Sequence, residues 1–386
     1  MEFNKINFKD KLVFVRVDFN VPLQFKGKGF QLTLSARMEE HAKTIKTLIK
    51  KKAKIVLLAH QSKPGKKDFV DLHKHALLLS ELIKKPVLFV PDVIGKEAQT
   101  AVSNLKAGEV LLLDNVRKIK DEMECPNGKC DKASLIKTYQ KVCDYFVLDA
   151  FSVAHRSQAS VVGFKNKTVY GPVLSNELKH LEKLRKSKNV VLIFGGGKPE
   201  DTLKILKKWL QQNRAKKIIL CGIPGMLLVS NFYTNKQITN FIESKGYKQL
   251  AKEFFEISKK HEIFIPRDVS LEGKIVPIEE IPKNKGEIVD IGPKTINYFS
   301  KAIKGEIVLY NGTAGLTDVK EYSVGTTKLL KAITRAKKSY IGGGDTLMIL
   351  KTNKISQNKF TFVSLSGKAF IQYVSGDELV ALKSTK

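Results

Sequence analysis

Cysteine is scarce: four in 386 residues, too few to frame a chain of this length with disulfides. Two of them, Cys125 and Cys130 in ECPNGKCDK, are separated by four residues carrying a Pro/Gly turn. No further Cys or His stands near them at zinc-like spacing, so a loop of free thiols is favoured over a local disulfide, and metal is the weakest reading. Long hydrophobic runs are also missing. The stretch Val190 to Phe194 falls far short of a membrane span, and the opening MEFNKINFKDK lacks the apolar core and small-residue cleavage site of a leader. A cytoplasmic protein without a membrane partner is expected. There are only 12 prolines, no Gly/Ser linker and no short tandem repeat. Neither GxxxxGK[ST] nor GxGxxG occurs, which excludes a P-loop and the dinucleotide fingerprint.

Acidic residues are the other shortage. Thirty-eight Asp and Glu face 68 Lys and Arg, a formal charge of +30. The excess is mostly lysine in short clusters along the whole chain, with no aromatic RNA-binding signature and no zinc-finger spacing. A solvated lysine-rich surface is therefore favoured over a dedicated nucleic-acid face, and no specific nucleic-acid partner is expected.

With 42% hydrophobic residues and 21 Phe, the chain can bury more than one core, and its length suits two domains. Short Val/Ile/Leu/Phe runs alternate with helical-period segments, the pattern of βα units feeding parallel sheets. The predicted strands are 12–17, 54–59, 86–90, 109–113 and 145–148, then 190–194, 217–221, 262–265, 306–310, 339–341 and 360–363. Between the series, GPVLSNELKHLEKLRKSKN repeats Leu174, Leu178, Leu181 and Leu184 at helical spacing. The expected fold is α/β: two doubly wound, Rossmann-like parallel-sheet domains separated by a cleft. Residues 1–170, with a C-terminal return of about 364–386, form the first. Residues 171–188 form the interdomain helix and 189–363 the second.

Polar residues at strand ends carry the chemistry, because open α/β sheets bind ligands beyond the carboxyl ends of their strands. VRVDFNVPL ends its strand with Asp18 and Asn20, a pair able to orient a substrate or simply to close a turn. His60, Lys63, Arg117, His155 and Arg156 also follow strand ends in this half, and Arg37 from LTLSARM adds a further cation. Singly each reads as surface charge, but together they suit a small, doubly anionic substrate. The second half has glycine turns instead. In IFGGGKPED, Gly195, Gly196 and Gly197 let backbone approach a phosphate beside Lys198, and YIGGGDT repeats the plan with Gly342, Gly343, Gly344, Asp345 and Thr346. VLYNGTAG adds Asn311, Gly312 and Gly315. Amide cradles beside a carboxylate suit a metal-bound nucleotide, so phosphoryl transfer is the natural inference.

VRVDFNVP, AHQSKPG, LLLDNVR, DAFSVAHR, GGGKPED, DIGPKTI, NGTAG and GGGDT, in this order over essentially the whole chain, resemble the phosphoglycerate kinase family, in its archaeal branch. The resemblance implies reversible phosphoryl transfer between 1,3-bisphosphoglycerate and MgADP, giving 3-phosphoglycerate and MgATP, with hinge closure and Mg2+ carried by the nucleotide. It implies that Asp18, Asn20, Arg37, His60, Lys63, Arg117 and Arg156 bind the acid. Arg37, Lys198, Gly344 and Gly367 would act on the transferring group. Gly196, Gly197, Lys198, Gly222, Asn311, Gly312, Asp318, Gly343, Gly344, Asp345 and Thr346 would bind the nucleotide, with the adenine near Gly196, Gly222 and Gly225 and the metal on Asp345. A monomer is expected, with a homodimer as the alternative. Several positions depart from the family pattern: Lys63 replaces an Arg, Asp318 a Glu and Thr202 a Lys, and SLSGKA at 364–369 keeps only Gly367 of a glycine triplet. A catalytically impaired homologue kept for binding, and a basic nucleic-acid binder, are the competing readings.

Overall fold

The computed structural model describes residues 2–27, 29–126, 129–165, 167–233, 235–281, 286–317 and 319–383. It divides into two units, Met1–Lys179 with Glu378–Lys386, and His180–Asp377.

The first unit contains β1 (Leu12–Arg16), β2 (Leu23–Lys26), β3 (Gly29–Leu32), β4 (Lys54–Leu58), β5 (Leu88–Val90), β6 (Val110–Leu113), β7 (Tyr145–Leu148) and β8 (Lys167–Tyr170). Six of them form a parallel sheet in the order β5-β6-β4-β1-β7-β8. The inner strands are apolar runs because both their faces are covered, and β1, β4, β6 and β7 are buried almost throughout. Helix Ala36–Lys50 starts where the Ser35 hydroxyl accepts the Met38 amide at 3.3 Å, and Met38, Ala42, Ile45 and Leu48 turn its apolar stripe into the core. On β1, Arg16 is level with Leu58 of β4 and Leu148 of β7. That register brings the segments after three strands together where the strand order reverses.

The second unit contains β9 (Val190–Phe194), β10 (Ala215–Leu220), β11 (Ile263–Phe264), β12 (Asp268–Leu271), β13 (Lys274–Pro277), β14 (Ile288–Ile291), β15 (Ile307–Asn311), β16 (Lys338–Gly342) and β17 (Phe362–Val363). Its parallel sheet runs β11-β10-β9-β15-β16-β17. Phe194, Asn311 and Gly342 stand side by side at the ends of β9, β15 and β16. Trp209, fully buried, donates Nε1–H to Ser375 Oγ at 3.0 Å, and the Arg214 guanidinium lies 3.8 Å from its ring centroid.

Three features were not expected from the sequence: the antiparallel β2–β3 hairpin, the edge strand β8, and the antiparallel sheet β13-β12-β14. The connecting helix spans Pro172–Arg185, and the Asp149 carboxylate accepts the Val173 amide at 2.9 Å near its start. The return to the first unit is shorter than 364–386: residues 364–377 stay with the second unit, while the Ala381 amide donates to Ala154 O at 3.1 Å. The free-thiol reading of Cys125 and Cys130 is corrected. They form a disulfide, because a turn closed by the Lys129 amide on Pro126 O at 2.9 Å brings their Cα atoms to 4.9 Å.

Candidate functional site

Beyond the carboxyl ends of β1, β4, β6 and β7 a set of charged side chains interlocks. Asp18 is almost wholly buried, with Arg37 Nη1 3.2 Å from Oδ2, the Asn20 amide 3.0 Å from Oδ1, and the Ser152 hydroxyl also donating to Oδ2. Asn20 Oδ1 accepts the Ser62 amide at 2.9 Å, tying the end of β1 to the end of β4. Arg117 Nη1 donates to Ser62 O, and Arg156 Nη1 approaches His60 Nε2 at 3.3 Å. Asp18, Asn20, Arg37, His60, Arg117 and Arg156 are thus drawn into one cluster. Lys63 is not: it is exposed, on the loop beyond Ser62. His155 is half-buried beside Arg156 in sequence.

Burial and mutual repulsion set the charges. Burial alone would raise the Asp18 carboxyl, but Arg37 and the hydrogen bonds from the Ser152 hydroxyl and the Asn20 amide hold it well below the usual carboxylate range. His60 is pushed well below its ordinary value by burial and then by Arg16, so its ring is neutral. Arg117 is lowered to about 10, by burial first and then by Arg156 and Arg16, and still carries its charge at neutral pH. The cluster is a crowd of cations with few counter-charges, which an anion relieves. Two members escaped sequence reading. Arg16 is fully buried under His60, and Glu122 is fully buried, accepting the Ser160 amide at 3.0 Å and hydroxyl at 2.5 Å. Arg16 ends an apolar run and Glu122 sits in a polar loop, and neither context separates a buried ion from a surface one.

In the second unit, glycines let three strand ends approach. The Gly195 amide donates to Asn311 O at 3.1 Å and the Gly196 amide to Thr313 O at 2.7 Å. Gly196, Gly222, Gly312 and Gly343 have φ of +79°, +55°, +89° and +111°. A β-carbon on Gly222 would lie 2.7 Å from Gly196 N. The Gly343 amide is spent on Ser366 O at 3.3 Å, and the first intrahelical bond of Gly344–Thr352 runs from Leu347 N to Gly343 O at 3.1 Å. The amides of Gly344, Asp345 and Thr346 therefore precede that bond, the orphan donors of a helix start. Asn311 Nδ2 and Thr346 Oγ1 are buried and find no hydrogen-bond partner among the described residues.

Two cavities meet here. One of about 480 Å³ is lined by Lys198, Asn311, Gly312, Thr346, Gly367 and Lys368 among others. The other, of about 350 Å³, is mainly apolar, with Gly222, Ile223, Met226, Ile238, Phe241 and Leu316 in its wall. Both include Gly196, Gly197 and Asp345. A flat apolar ring and a polyanionic tail match such a joined pair. Gly315 lines the apolar cavity, whereas Gly225 packs in helix Gly222–Val229, where an added β-carbon would lie 2.8 Å from Leu220 O. Sequence reading missed the apolar wall, since helix Lys236–Ser244, which supplies Ile238 and Phe241, reads as an ordinary amphipathic segment. Asp318 lies outside the described residues. No group of three or more His, Cys, Asp or Glu among the described residues is placed to hold a metal. Asp345, a single carboxylate in the first turn of Gly344–Thr352, fits an ion whose other ligands are phosphate oxygens and water.

Residues 3–377 match the family model described as Phosphoglycerate kinase. The chain is 34% identical to a phosphoglycerate kinase of Archaeoglobus fulgidus, covering 99% of this chain and 95% of that one, and 35% identical to one of Methanothermus fervidus, covering 98% and 94%. Among solved structures, phosphoglycerate kinase from Pyrococcus horikoshii superposes with a TM-score of 0.91 at 30% identity, covering 100% of this chain and 98% of that one.

Proposed function

The chain belongs to the phosphoglycerate kinase family, a glycolytic phosphotransferase, and from that membership we propose how its residues divide the work. Asp18, Asn20, Arg37, His60, Arg117 and Arg156 bind 3-phosphoglycerate or 1,3-bisphosphoglycerate. The apolar cavity takes the nucleobase of ATP or ADP, and the adjoining one takes the phosphates, with Mg2+ arriving on the nucleotide and meeting Asp345. A place in the cytoplasm follows from the glycolytic role of the family, and no membrane partner is part of this reading.

The observation that carries the nucleotide assignment is the pair Asn311 Nδ2 and Thr346 Oγ1, buried donors without partners beside three orphan amides. A buried polar atom left unpaired costs free energy, and phosphate oxygens supply the missing acceptors. The attacking oxygen is a phosphate in one direction and a carboxylate in the other, already ionised in both, so no general base is required. Catalysis then consists of positioning and of neutralising the moving charge. Lys198, exposed at the N-cap of helix Pro199–Gln211 and lining the phosphate cavity, neutralises the migrating group from the nucleotide side, and Arg37 does so from the acid side. Because the two anions occupy different units, transfer requires the hinge closure expected from the sequence.

A coupled assay with 3-phosphoglycerate and MgATP tests this. Turnover is expected in the wild type, and Lys198→Ala lowers kcat about 100-fold or more with both KM values changed far less. A folded wild type that gives no turnover, or a Lys198→Ala variant as fast as the wild type, refutes the assignment.

A further inference from the structure

Both ring nitrogens of His60 face a guanidinium. Arg16 Nη2 lies 3.0 Å from Nδ1, and Arg156 Nη1 lies 3.3 Å from Nε2. A guanidinium only donates, while a neutral imidazole offers one acceptor and one N–H, so one of these two contacts has no acceptor. The two arginines are not equivalent. Arg16 is fully buried and immobilised, its Nη1 donating to Val17 O at 2.7 Å and to Leu58 O at 3.1 Å. Arg156 is half-exposed and can turn to solvent or ligand. The acceptor lone pair of His60 therefore belongs on Nδ1, where the alternative would strand a buried N–H.

We propose that Arg16 is a positioning residue that fixes the tautomer of His60, with Nδ1 as acceptor and the proton on Nε2, so that His60 presents only a donor to the substrate. The Nε2–H then faces Arg156 with nothing between two donors. Asp18, the anion that acts on this ring, is already occupied: Oδ1 takes the Asn20 amide, and Oδ2 takes Arg37 and Ser152. The absent acceptor is an anionic oxygen that takes hydrogen bonds from His60 Nε2 and Arg156 together. Its identity as an oxygen of 3-phosphoglycerate rests on the function proposed above, whereas the tautomer does not.

The tautomer is read directly from a long-range proton–nitrogen correlation spectrum of the full chain labelled with 15N-histidine, the His60 signals being those lost in His60→Gln. Nδ1 is expected as the unprotonated nitrogen and Nε2 as the protonated one, with Arg16→Met disturbing that assignment. The opposite pattern, or a folded Arg16→Met variant with an unchanged spectrum, overturns the proposal. Side-chain mimicry gives a second reading that leaves Arg16 in place. Gln can offer an N–H where Nε2 stands, and Asn only where Nδ1 stands. His60→Gln is therefore expected to keep KM for 3-phosphoglycerate within about fivefold of wild type, and His60→Asn to raise it about 10- to 100-fold. Equal losses, or the reverse order, also overturn it. The spectrum needs no substrate, so a wild type that shows the expected tautomer but no turnover would sink the functional reading and leave this one standing.

Discussion

Glu122 illustrates what a single residue contributes beneath the charged cluster at the ends of β1, β4, β6 and β7. Its carboxyl is fully buried, and burial pushes it up from 4.5 to about 7, against the opposing pull of Arg16 and the two Ser160 hydrogen bonds. Between pH 4.5 and 7 the folded protein holds a proton that the unfolded chain has released. More protons are bound in the native state, so stability falls as pH rises through this window. Glu122→Gln keeps the shape and removes the titration. Its unfolding free energy relative to wild type is expected to increase by up to about 3 kcal/mol between the lower and upper edges of that window. Denaturant titrations at both edges check this, and a difference that does not vary with pH refutes it. Asp18, Asn20, His60, Arg117 and Arg156 were legible because polar residues that follow apolar runs are placed by the fold at strand ends, whereas Arg37, in the first turn of helix Ala36–Lys50, stood out only as a further cation. Arg16 and Glu122 were not legible, since their partners lie 44 and 38 residues away and nothing local marks them as buried.

At the level of elements, the triplet Gly195–Gly197 is the clearest case of partial legibility. The sequence pointed to a glycine turn after β9, but three identical letters do not share one physical reason. Gly195 has Cys221 and Thr313 against it, so that a β-carbon would come within 2.8 Å of Cys221 Sγ. Gly196 needs positive φ, and Gly197 would meet nothing within 4 Å. Gly312, on the facing turn after β15, combines both constraints: φ of +89° and only 2.6 Å from an added β-carbon to the Gly195 carbonyl carbon. Gly312→Ala is therefore expected to lower stability by about 1–3 kcal/mol and to weaken nucleotide binding at least about tenfold while leaving 3-phosphoglycerate binding unchanged. Gly197→Ala should leave stability within about 0.5 kcal/mol. Calorimetric titration with each ligand and thermal melts of both variants separate these outcomes, and equal stability losses refute the contact argument. The antiparallel sheet was overlooked for a related reason. Its β12–β13 hairpin turns on Glu272 and Gly273, with φ of +49° and +97°, and Glu-Gly is a far weaker hairpin signal than Asn-Gly.

On the scale of the whole molecule, each unit carries its own parallel sheet, which is why two series of strands were visible in the sequence. The +30 charge comes mostly from lysines spread in short clusters along the whole chain. Exposed lysines pair with the few acids, as in Lys5–Glu2, Lys43–Glu40 and Lys165–Asp131, and most of the excess is left to solvent. Such a field attracts small anions from any direction. It acts over a screening length of about 30 Å at 0.01 M salt and about 8 Å at 0.15 M. The value of kcat/KM for 3-phosphoglycerate is therefore expected to fall several-fold across that range, with kcat at saturation nearly unchanged, because screening weakens encounter and not the buried contacts made after binding. An oligonucleotide should bind only at low salt, with a steep slope that ends in negligible affinity at 0.15 M. Tight oligonucleotide binding at 0.15 M, together with a salt-independent kcat/KM, would mean that the charge serves a nucleic acid after all.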